Sequence, residues 1–87
     1  MEKEIAFTEE EIRTAYGKFN ITENMQEELD AFLERRNAFF KDASDDNLFH
    51  LRRAFENLYT DTKLASHMKI MSERDFYELA EMLKRGV

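Results

Sequence analysis

Along the chain, apolar residues return every three or four positions, and no β-branched, alternating run interrupts that rhythm. The pattern is that of one-sided helices, so an all-α fold is expected and strands have no support. Ile12, Ala15, Tyr16 and Phe19 keep the i, i+3, i+4, i+7 spacing of one buried face, which predicts a first helix over about 8–18. Thr8 and Glu11 stand at capping-box spacing, and Phe7 with Ile12 forms the hydrophobic staple around them. Gly17 lies where that helix would end.

A second helix is expected over about 22–41, capped by Asn20 or Thr22 and roughly 27–30 Å long at 1.5 Å per residue. The other elements are arranged around it. Met25, Leu29, Phe32, Leu33, Phe39 and Phe40 share its apolar face, while Glu23, Glu27, Asp30 and Glu34 form a carboxylate stripe on roughly the opposite side. Arg36 falls in the middle of the apolar face. Buried against a carboxylate, it would make this turn wholly structural; exposed beside Phe39 or Phe40, it would mark the rim of an interface.

Ser44 is positioned to cap a third helix over about 45–60, with Asp45 and Asp46 in its first turn and Leu48, Leu51, Phe55, Leu58 and Tyr59 as its buried stripe. Taken together, Leu64, Ala65 and Met68 would centre about 120° from that stripe in an unbroken helix. A break near Thr60-Asp61-Thr62 and a short extra helix near 63–70 are therefore expected, with one bent helix as the alternative. Ser72 and Asp75 form a second capping box, stapled by Met71 and Phe76, and open a last helix over about 72–85. Phe76, Leu79, Ala80 and Leu83 are its buried face; Lys84 and Arg85 occupy its last turn and Gly86 follows. With no repeat, linker or low-complexity stretch, residues 1–87 read as a single domain, a bundle of four main helices.

Composition narrows the picture. An apolar content of 43% with eleven aromatics outweighs 37% charged residues and favours a folded globule over disorder. The absence of cysteine excludes disulfides, thiolate metal sites and a cysteine nucleophile. No apolar run approaches the ~20 residues of a membrane span, and Met1-Glu2-Lys3-Glu4 does not resemble a signal peptide, so a cytoplasmic protein is expected. The net charge of −6 lies wholly in residues 1–30, where nine acids face three bases; the rest of the chain is balanced. Such a balance disfavours direct nucleic-acid binding, which needs excess positive charge along the phosphates.

Catalytic chemistry finds little footing. There is no glycine-rich phosphate loop and no H-E-x-x-H, and neither His50 nor His67 is spaced to a nucleophile. The carboxylates read as solvated helix faces whose titration burial would not raise. Asp42, Ser44 and Asp46 match calcium-loop positions 1, 3 and 5, but Asn47 stands where glycine is required and Arg53 where a bidentate glutamate is required. That segment is a capping turn. No catalytic residue, metal ligand set or cofactor site is expected, and the chain reads as a non-enzyme.

The basic residues carry more information. Arg35 and Arg36 have no acid three or four positions away, and Arg52 and Arg53 share only Glu56. Phe49 falls between Arg52 and Arg53 in angle, off the apolar stripe, as in a protein-binding hot spot. The plain alternative is that Phe49 covers another helix and the arginines bond neighbouring elements. The stripe Glu23–Glu27–Asp30–Glu34 spans about 16 Å with a charge near every turn, a spacing comparable with the phosphates of a nucleic-acid strand. The plain alternative there is a solvated face. Together these residues point to a small acidic protein-binding module with a basic partner, by class analogy a phage- or plasmid-type inhibitor or regulator of a nucleic-acid-handling protein. Two other readings compete. One is a structural homodimer burying surplus side chains such as Phe49, Ile70, Tyr77 and Met82; the other is a nucleic-acid-associated protein using Arg35, Arg36, Arg52 and Arg53.

Overall fold

The computed structural model describes residues 7–85, which form four α-helices: α1 (Glu9–Tyr16), α2 (Glu23–Lys41), α3 (Asp45–His67) and α4 (Glu73–Lys84). Each begins at a hydroxyl cap. Thr8, Thr22, Ser44 and Ser72 accept from the backbone N–H of Glu11, Met25, Asn47 and Asp75, three residues on in every case. Thr8–Glu11 and Ser72–Asp75 are complete capping boxes, each acid bonding back to the N–H of its own cap residue. The chain breaks where a side chain can satisfy the orphan amides of a new helix.

α3 packs along both α2 and α4, and α1 closes against α4. The core is drawn from the predicted faces: Ile12 and Tyr16, then Met25, Leu29, Phe32 and Leu33, then Leu51 and Leu58, then Phe76, Leu79, Ala80 and Leu83. The staple residue Met71 is buried beside Phe76. A ladder of tilted rings, Phe32–Phe55–Tyr59–Phe76, crosses from α2 over α3 to α4 with centroids 5.4–6.4 Å apart. Such spacings suit the electrostatic preference of aromatic pairs for tilted contact.

Three features depart from expectation. The first concerns the break near Thr60-Asp61-Thr62 and the short helix near 63–70: α3 instead runs unbroken to His67. Its stripe continues through Leu58, Thr62 and Ala65, while Leu64 and Met68 stay exposed. Thr62 is fully buried because its hydroxyl donates to the Leu58 carbonyl (2.7 Å) and accepts from the Tyr16 hydroxyl (2.8 Å), so a polar residue holds a core position. The helix ends in a Schellman motif: Ile70 N–H bonds the Ala65 carbonyl and Lys69 N–H the Ser66 carbonyl, with Lys69 left-handed at φ 68°.

Second, Leu48, Phe55 and Tyr59 are half-buried rather than buried, and the first helix stops at Tyr16. Third, of the surplus side chains, Ile70 and Met82 pack half-buried against the core, whereas Phe49 and Tyr77 are exposed. Gly86 lies outside the described residues. Among the described residues there is no strand, and no helix is long and apolar enough to cross a membrane.

Candidate functional site

The outer face of α2 carries the carboxylate stripe. Glu23, Glu27, Asp30 and Glu34 are all exposed, held at fixed separations by one straight run of helix. Asp30 is not free. Arg13 of α1 bridges it at 2.7 Å and Glu9 at 3.0 Å, and these bonds hold both carboxyls below their ordinary range. Asn37 adds a bond to Glu9 from the same flank of α2. Among the described residues, Glu23, Glu27 and Glu34 form no ion pair, so three of the four predicted carboxylates remain available.

Arg36 is 4% exposed and takes neither role expected of it. It meets no carboxylate directly; its Nη2 donates to the Phe7 carbonyl, and its guanidinium lies 5.1 Å from the centre of the Phe40 ring. Among the described residues, Nε and Nη1 have no hydrogen-bond partner; burial lowers the group's affinity for the proton, an effect Glu9 partly opposes. It joins α2 to the residue that precedes the α1 cap. Phe40, which covers it, is half open to solvent at 53%.

Of the remaining candidates, Arg35, Phe49 and Arg53 come together between α2 and α3. Arg35 of α2 and Arg53 of α3 line one groove of about 200 Å³, together with Glu28, His50 and Asn57. Ala31 and Ala54 complete its lining with small side chains. On α3, His50, Arg53 and Asn57 follow i, i+3, i+7 spacing, and on α2 Glu28, Ala31 and Arg35 do the same, so two helical faces converge. Phe49 is 55% exposed at the edge of this groove, with the Arg53 guanidinium 5.8 Å from its ring centre and His50 edge-on at 5.5 Å. Arg52 is exposed but does not line the groove.

Glu28, one of the nine acids of residues 1–30, departs from the expectation that burial leaves the carboxylates unraised. The structure places it at the α2–α3 seam, where burial first and the carboxyl of Asp61 second push its pKa up to about 7. Its Oε1 is buried and, among the described residues, lies outside hydrogen-bond geometry to any partner. Asn24 of α2 donates to the Asp61 carboxylate of α3 at 3.1 Å, a second polar link across the same seam. No sequence signal marks this pair, because Glu28 and Asp61 are brought together only by packing of α2 on α3.

Among the described residues, no group of three or more His, Asp or Glu is placed to hold a metal ion. Compared with family models, curated proteins and solved structures, the chain matches none.

Proposed function

We propose that the chain is a protein-binding module, without catalytic activity of its own, whose α2 outer face engages a basic surface on another protein. The observation that carries this reading is the exposed, unpaired set Glu23, Glu27 and Glu34 on a helix anchored by four buried apolar residues. Rigid placement matters because charges fixed before encounter lose little freedom on binding and steer a basic partner from a distance. A nucleic-acid-handling protein presents such a surface, and an inhibitor or regulator of one is the role favoured by the near-phosphate spacing of the stripe.

The test is reversal of the three free carboxylates, Glu23→Lys, Glu27→Lys and Glu34→Lys, with Asp30 left in place to preserve its bridge to Arg13. Capture of partners from the native cell should lose at least one protein held by the unaltered chain, and that protein should elute as salt rises. Identical capture by both forms at low salt overturns the proposal.

A second reading, self-association, draws on the exposed side chains Phe40, Phe49, Leu64, Met68 and Tyr77. Leu64 and Met68 border an apolar hollow of about 110 Å³ with Met25 and Ile70. Light scattering at micromolar concentration separates the readings, since a strict monomer removes the second.

A further inference from the structure

We propose that the α2–α3 groove is an oxyanion site, taking a phosphoryl group between the guanidiniums of Arg35 and Arg53. Neither arginine is ion-paired among the described residues, and the Arg53 guanidinium lies 5.8 Å from the Phe49 ring centre. Two unpaired guanidiniums lining one cavity on opposite helices are unusual in a chain of net charge −6, where acids outnumber bases nineteen to thirteen. Guanidinium forks match the oxygens of phosphate in pairs, and two of them neutralise a dianion where a single carboxylate would satisfy only one. His50 and Asn57 add side-chain donors on the same wall.

The size of the groove sets the class of ligand. About 200 Å³ lies below the roughly 300–1,000 Å³ that enclose a whole cofactor, so the space suits one group rather than a nucleotide. Phe49 stands beside it as an exposed platform, placed to cover whatever carries that group. Glu28 is the opposing charge in the lining, and its carboxyl shares the seam with Asp61. Protonating it leaves the two guanidiniums uncompensated, so occupancy of the groove should rise as Glu28 is neutralised.

Titration at low salt, followed by amide NMR, tests the site with sulfate, which stays a dianion from acid to base, and with acetate as the carboxylate. Sulfate should saturate shifts at Arg35, His50, Arg53 and Asn57. Arg35→Ala and Arg53→Ala should each weaken it about tenfold or more, the loss expected for one charge-assisted bond. Arg52→Ala changes net charge equally but lies outside the groove, and should leave binding within about twofold. Glu28→Gln should tighten sulfate binding at pH 8. Equal weakening by Arg52→Ala, acetate binding as tight as sulfate, or shifts that never saturate would each overturn the proposal. Inorganic phosphate and phenyl phosphate then distinguish the source. A gain for the ester that vanishes in Phe49→Ala assigns the group to an aromatic phosphoester, whereas equal affinity assigns it to the free ion, and both retain the oxyanion site. The variants leave Glu23, Glu27 and Glu34 untouched, so this result stands or falls independently of the α2 outer face.

Discussion

Thr62 shows how one hydroxyl can set the path of a chain. Its proton goes to the Leu58 carbonyl, so the Tyr16 hydroxyl is the donor in the bond between them, and α1 is tied to α3 through a dry contact. Thr62→Val keeps the shape but leaves the Tyr16 hydroxyl buried without an acceptor, a loss of about 1–3 kcal/mol. Tyr16→Phe removes the donor and leaves Thr62 still bonded to its own helix, so the cost should be smaller, about 0.5–1.5 kcal/mol. Urea unfolding of both variants checks the order; an equal or reversed cost would mean the bond is not made. A buried threonine is also what hid the continuity of α3. Read by hydrophobicity alone, position 62 interrupts the stripe and Leu64 restarts it on another face.

The elements themselves were legible to different degrees, and the difference follows from range. Three N-caps could be read outright and the fourth narrowed to Asn20 or Thr22, because a capping bond joins residues three apart and needs no tertiary partner. The end of α3 could not, because the usual glycine is missing and Lys69 adopts the left-handed conformation in its place. Arg35, Arg53 and Phe49 could be marked as unsatisfied from their own helices, but their convergence on one groove could not. The same holds for the burial of Arg36 and the meeting of Glu28 with Asp61, which depend on how helices lie side by side. Lys69→Gly relieves the strain of a side chain at φ 68°. It should stabilise the fold by about 0.5–1 kcal/mol, or roughly 2–8 °C in thermal midpoint. No increase in midpoint would argue that Lys69 relaxes out of the left-handed region.

For the molecule as a whole, pH acts through two sets of carboxyls with opposite sign. Glu9 and Asp30 are held low by Arg13, so their contribution is present near neutrality and is lost only as acid protonates them. Glu28 is raised from its ordinary 4.5 to about 7, so the folded state holds its proton more tightly than the unfolded chain does. Its contribution is complete below about 4.5 and fades as pH climbs through 7. Thermal midpoints should therefore fall between pH 5 and 8, and Glu28→Gln should flatten that slope and be the more stable form at pH 8. Parallel profiles for the two proteins would count against the Glu28–Asp61 pairing.

The tyrosine sealed against Thr62 also gives the protein an optical signal of its own. The chain has no tryptophan and three tyrosines, and these differ sharply in surroundings: Tyr77 lies open, Tyr59 is half-covered and Tyr16 is enclosed. Burial drives the Tyr16 phenol far above its ordinary value. In base, then, Tyr16 surrenders its proton only when α1 parts from α3. The ultraviolet band of that phenolate is a clock for opening at this one seam.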